Sequence, residues 1–262
     1  TFKRGERIGV VGKNGVGKTT FLNIIQGKEL PDSGKINPGE TVVFGYFDQK
    51  GLNIKEDKRI IEYVLNEGVS NPLVNMKLTA FANETASESP APGGGSISAY
   101  VGVLGVSLGT MVANLSASKK GWEDKWELFS DWAEKGQAYK KQLIDLVDED
   151  TRSFNAIMEG FALPKGTDEE KAARKKAIQD ATKYAIEVPF KVMQLSFESM
   201  TVIEQMASIG NPNSVTDAGV GALCARTAVY GAFLNVQINA SGLDDKSYAT
   251  QKIEEGQQLL NS

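Results

Sequence analysis

A chain of 262 residues, 41% hydrophobic and 24% charged, has ordinary globular composition and enough length for one large or two small domains. Its net charge of -4 and pI near 5.2 exclude the basic surface of a general nucleic-acid binder. It has no histidine, which excludes His-type zinc sites, a Ser-His-Asp triad and a Cys-His pair and leaves acid-base work to carboxylates, lysines or tyrosines.

In chain order, a strand-like run at residues 7–11 leads into GKNGVGKTT at 12–20. Gly12, Gly17, Lys18 and Thr19 fit G-x-x-x-x-G-K-[ST], with Asn14, Gly15 and Thr20 in the same loop. Glycines there let backbone N–H groups turn inward, the lysine neutralises outer phosphates, and the hydroxyl holds a magnesium ion. A helix expected over 19–26 points its positive end at the same anion. A strand-like run at 41–46 and a charged helix at 57–66 complete an α/β texture over residues 1–70. These seventy residues hold 11 of the 29 basic and 9 of the 33 acidic side chains, leaving 18 and 24, so the acidity belongs to the remainder. The chain opens as if in mid-strand, with no basic, apolar leader; with Cys224 as its one cysteine and no disulfide, a cytoplasmic setting is expected.

Residues 71–76 read as a linker or fusion seam, and from 77 to 262 the pattern is helical throughout. Helices are expected at 78–88, 96–116, 122–161, 168–209, 217–240 and 246–260, divided by Gly-, Pro- and Asn-rich breaks, which makes an all-helical bundle. The segment 96–118 carries no charge and has the length to span a bilayer, but Ser98, Ser107, Thr110, Asn114 and Ser116 dilute it. A central helix packed through Gly105 and Gly109 is the favoured reading. Pro189 should kink the long helix that contains it.

Three groups of residues in this helical part carry chemistry. Gly93, Gly94 and Gly95 allow dihedrals closed to other residues, and Ser96 suits an N-cap; the loop is either a polar-ligand site or a plain turn. In the helix over 122–161, Leu143, Val147, Asp150, Phe154, Ile157 and Phe161 form one stripe, with Asp148 on a solvated face. A carboxylate on a core-facing stripe has its pKa pushed upward, which suits proton transfer, or else it is a hydrogen-bonded structural residue. Asn211, Ser214 and Asp217 cluster at a helix start, the last two at capping-box spacing; Asn235 and Asn239 share one face of an apolar helix and line a pocket or pair across helices.

Residues 1–70 resemble the beginning of an ABC-type ATPase domain of the ABC-F group, through 2–12, the P-loop, and Gly45-Tyr46-Phe47-Asp48-Gln49. The resemblance implies that Gln49 contacts magnesium and the attacking water. No Asp-Glu strand end, LSGGQ-type signature or switch histidine follows, so the expectation is a truncated fragment with vestigial nucleotide binding, ATP and Mg only if it folds, and no ATPase activity.

Residues 77–262 resemble the cyclodeaminase/cyclohydrolase family of folate enzymes, above all the cyclodeaminase half of bifunctional formimidoyltransferase-cyclodeaminase. The matching motifs include Ser89-Pro90-Ala91-Pro92-Gly93-Gly94-Gly95-Ser96, Val147-Asp148-Glu149-Asp150, Leu163-Pro164-Lys165, Gly210-Asn211, Ser214 with Asp217, and Asn235 with Asn239. The resemblance implies a mainly α, dimeric fold with its catalytic aspartate at Asp150. It also implies ring closure of 5-formimidoyltetrahydrofolate to 5,10-methenyltetrahydrofolate with release of ammonia. The Gly93–Ser96 loop, Asn211, Ser214, Asp217, Asn235 and Asn239 would then hold the folate substrate, with no metal, no nucleic acid and no membrane, and with a functional link to a formimidoyltransferase. Alternatives are a methenyltetrahydrofolate cyclohydrolase, and an inactive fusion that binds folate or nucleotide.

Overall fold

Long runs of helical periodicity give long helices, and the short Gly-, Pro- and Asn-rich breaks turn the chain back on itself. The computed structural model describes residues 10, 13, 15–36 and 72–262. It divides into two units, Thr1–Val64 and Leu65–Ser262.

In the first unit, Gly15 and Gly17 have φ of 84° and 89°, the left-handed region that glycine enters without penalty. They lead into α1 (Lys18–Ile25), which contains Thr19 and Thr20. Lys18 Nζ donates to the Lys13 carbonyl at 2.7 Å. No residue of α1 is buried. Gly12, Asn14 and Gln49 lie outside the described residues, as do the expected elements at 41–46 and 57–66, and no strand occurs among the described residues.

The second unit is a helical bundle. A 3-10 turn (Leu73–Asn75) and α2 (Leu78–Thr85) precede α3 (Gly94–Ala117), α4 (Trp126–Ala162), α5 (Asp168–Ile209), α6 (Val215–Ser241) and α7 (Lys246–Asn261). From Pro72 onward the expected linker is docked: the Leu73 N–H donates to Asp148 Oδ1 at 2.6 Å, and Leu73 packs on the core. Asp148 is therefore half-buried, because this segment covers the face that sequence spacing assigns to solvent.

The uncharged α3 is the centre of the bundle, packed on α4, α5 and α6. By length and composition it could cross a membrane, but 61% of its apolar window is buried by its neighbours. Its small residues let backbones approach: a Cβ on Gly105 would sit 2.9 Å from both Ala225 N and Gly221 O. Around it Val103, Val106, Leu143, Val147, Ile186, Met193, Phe233 and Val236 form the main core, each side chain contributing about 1.5–3 kcal/mol on burial.

Further along α4 the stripe leaves the core. Leu143 and Val147 are fully buried, but Phe154 and Phe161 are 41% and 51% exposed. The cause is that α4 outruns α3, which begins at Gly94 opposite Asp150, so beyond that point its main packing partner among the described residues is α5. Small residues make that contact instead, with Ser153 buried and Gly160 set against Ile178.

Candidate functional site

Helix α3 begins one turn earlier than sequence spacing suggests, with Gly93 as N-cap and no capping side chain of its own. Ser96 thus lies in the first turn, where backbone N–H groups have no helical partner. Asp150 of α4 supplies it: Ser96 N–H and Ser96 Oγ both donate to Asp150 Oδ2, at 2.8 and 2.9 Å. A cap normally provided within the helix is provided here by a carboxylate from its neighbour.

The glycines serve space rather than dihedral freedom. None of Gly93, Gly94 and Gly95 has positive φ. A Cβ on Gly95 would lie 2.0 Å from Asp150 Oδ1, and one on Gly94 would lie 3.3 Å from Asn235 Nδ2. Gly95 therefore lets the carboxylate reach the helix start, and Gly94 lets Asn235 pack beside it.

Burial pushes the Asp150 carboxyl above its ordinary value, and the two Ser96 hydrogen bonds oppose that without cancelling it. Both bonds fall on Oδ2, and Oδ1 lies against Gly95. Next to Asp150, Glu149 behaves differently. Burial pushes its carboxyl up, but bonds from Tyr184 and Arg152 outweigh that and hold it below the usual range, while the Tyr184 hydroxyl is pushed up to about 12. Two adjacent carboxylates are thus driven apart, one towards proton exchange and one towards permanent charge. Sequence reasoning missed Tyr184 and Arg152; the i, i+3 spacing of Glu149 and Arg152 was the available signal.

The other expected site residues divide. Asn235 and Asn239 lie at the Asp150 end of the bundle. Asn235 Nδ2 donates to the Gly231 carbonyl at 2.9 Å, and Asn239 Nδ2 donates to the Ala185 carbonyl at 2.6 Å. That carbonyl belongs four residues before Pro189, which has no N–H to give it. Asn211, Ser214 and Asp217 lie at the opposite end of α3: Asn211 N–H donates to Ser116 Oγ at 2.8 Å, and Lys119 Nζ reaches Asn211 Oδ1 at 3.3 Å. Ser96 and Ser116 are separated by about 30 Å along α3, so a single chain does not bring this trio to Asp150. The expected capping box of Ser214 and Asp217 is also absent; Ser214 is the N-cap of α6 without a side-chain bond, and Asn211 caps the preceding turn by accepting from Asn213 N–H. Among the described residues, no group of three or more acidic or thiol side chains is arranged to hold a metal ion.

The profile described as formiminotransferase-cyclodeaminase matches residues 77–258. A methenyltetrahydrofolate cyclohydrolase of Methylorubrum extorquens is 38% identical over 186 residues, 71% of this chain and 89% of that protein. A formimidoyltransferase-cyclodeaminase of mouse is 33% identical over 189 residues, 72% of this chain but 35% of that protein, so the chain spans about a third of this bifunctional relative. The crystal structure of formiminotetrahydrofolate cyclodeaminase from Thermotoga maritima superposes with a TM-score of 0.61 at 26% identity, covering 71% of this chain and 91% of that one. A separate stretch of 60 residues, 23% of this chain, is 45% identical to an ABC transporter ATP-binding protein of Bacillus subtilis, of which it covers 10%. The helical unit matches on profile, on relatives and on fold, and the chain belongs to the formiminotransferase-cyclodeaminase family.

Proposed function

We propose that the helical unit is a cyclodeaminase, closing the ring of 5-formimidoyltetrahydrofolate to 5,10-methenyltetrahydrofolate and releasing ammonia, with Asp150 as its acid-base residue. The observation that carries this reading is the half-buried carboxyl of Asp150, which accepts two hydrogen bonds from Ser96 on Oδ2. N10 of the folate attacks the carbon of the protonated formimidoyl group on N5, and the N10 proton passes to Asp150, leaving an amino group on the tetrahedral carbon. The same proton is returned to the amino group of the tetrahedral carbon, so that ammonia departs as the C–N bond breaks. A carboxyl whose pKa is raised exchanges protons nearer neutrality in both directions.

A second reading is favoured by the Methylorubrum relative, whose whole length this chain nearly spans. In a cyclohydrolase, water adds to the methenyl carbon and loses one proton to Asp150; the ring nitrogen takes that proton as its bond to carbon breaks, and the remaining hydroxyl proton is released to solvent as the formyl C=O forms. Both readings place the same carboxyl at the same one-carbon unit. Neither uses the P-loop residues.

A second copy of the chain is the partner proposed for this unit. Val220, Leu223, Tyr230, Leu234 and Ile238 on α6 are between 45% and 66% exposed and form one apolar row. The setting proposed is cytoplasmic.

The test follows methenyltetrahydrofolate absorbance and ammonia together, supplied first with the formimidoyl substrate and then with methenyltetrahydrofolate. Cyclodeaminase activity gives both products from the first substrate, reduced about 10²- to 10⁴-fold in Asp150→Asn. Because Asp150 must be ionised to take the first proton, kcat/KM falls as pH drops through a pKa above the ordinary 3.8. Loss of methenyl absorbance without any ammonia from the first substrate assigns the cyclohydrolase instead.

A further inference from the structure

The reacting carbon accounts for one end of a folate; the other end is anionic. N10 carries a p-aminobenzoyl group and a glutamate whose carboxylates need a place to lie. The proposal made here rests on the folate reading above and concerns that tail.

Helices α3 and α4 run antiparallel in a fixed register. Ser96 meets Asp150, and fourteen residues on, Thr110 meets Gly136, where a Cβ on Gly136 would lie 2.0 Å from Thr110 Oγ1. Along the same junction opens a cleft of about 320 Å³, lined by Ser107, Met111 and Asn114 of α3, by Ser118 just past its end, and by Gln137 and Lys140 of α4. Ser107, Asn114 and Ser118 fall within about 40° of Ser96 around α3, so the cleft opens on the face that presents Ser96. Lys140 lies ten residues from Asp150, about 15 Å along α4.

The lining of this cleft contains one charged side chain and no carboxylate. Among the described residues no acidic group forms an ion pair with Lys140. The second cleft beside the site, about 350 Å³ between α4 and α5, is the opposite: Asp145, Glu149 and Glu187 line it against a single lysine, Lys191. An anionic tail leaving Asp150 is drawn to the first and repelled from the second.

We propose that the cleft between α3 and α4 holds the glutamate carboxylates of the folate substrate, with Lys140 as their counter-charge and the side-chain amides of Asn114 and Gln137 as hydrogen-bond donors. The cleft is open at its rim, so further γ-linked glutamates would extend from it rather than be shut out.

The experiment measures binding of 5-formyltetrahydrofolate, which has the tail but does not react, against tetrahydropteroate, which lacks the glutamate, by calorimetry. Lys140→Gln should weaken the first about tenfold and leave the second unchanged. Lys140→Arg should recover affinity, and Lys141→Gln, on the same helix but outside the cleft, should bind as the wild type does. Equal binding of 5-formyltetrahydrofolate by wild type and Lys140→Gln, or equal weakening for both ligands, overturns the tail site while leaving the folate reading intact. Failure of the wild type to bind 5-formyltetrahydrofolate overturns the folate reading and the tail site with it. Thermal midpoints of all three variants separate a local effect from unfolding.

Discussion

Gly95 shows how one missing side chain makes a site. Its backbone lies so close to Asp150 that any Cβ would overlap Oδ1, and the clash is with the end of a short, hydrogen-bonded side chain that has little room to yield. Gly95→Ala is therefore expected to displace the carboxylate and break at least one Ser96 bond. We expect a stability cost of about 1–3 kcal/mol by chemical denaturation and loss of turnover comparable to Asp150→Asn. Normal turnover in a folded Gly95→Ala variant would show that Asp150 acts from some other position. Asp150 itself was legible in the sequence, because a carboxylate among Leu143 and Val147 breaks a stripe. Its partner was not. Nothing in the spacing of Gly93, Gly94, Gly95 and Ser96 reveals that the loop caps its helix with a residue 54 positions away.

The elements were legible where periodicity and breaks agree, as in α5, whose bounds match the sequence expectation from Asp168 to Ile209. What periodicity cannot show is which neighbour covers a face, and so Phe154 and Phe161 were read as core while Asp148 was read as solvated. Pro189 illustrates an element completed by another element. Asn239 of α6 fills the hydrogen bond that Pro189 denies to Ala185, so the polar pair expected to line a pocket is partly structural. Removing Asn239 leaves a backbone carbonyl unsatisfied, at a cost of about 1–3 kcal/mol. Pro189→Ala restores an N–H that can serve the same carbonyl. The expected result is that Asn239→Ala costs markedly less in the Pro189→Ala background than in the wild type, read from a denaturation double-mutant cycle. Additive costs would mean that the amide acts elsewhere, and a pocket role for Asn239 would regain its standing.

At the scale of the whole molecule, the separation of the expected site residues calls for a second chain. Asn211, Ser214 and Asp217 share motifs with the family yet lie about 30 Å along α3 from Ser96, while α6 exposes an apolar row from Val220 to Ile238 between the two ends. A two-fold contact through that row, with the helices antiparallel, sets one end of each chain over the opposite end of the other. Sedimentation should give a dimer that Leu223→Glu with Leu234→Glu converts to a monomer. The decisive step is complementation. Asp150→Asn and Asp217→Asn chains, each inactive alone, are mixed under conditions that exchange subunits. If each site takes Asp150 from one chain and Asp217 from its partner, half the dimers are hybrids and one of the two sites in each is intact, giving about a quarter of the wild-type rate. If both residues serve a site within one chain, no hybrid has an intact site and the mixture stays inactive, which would refute a shared site.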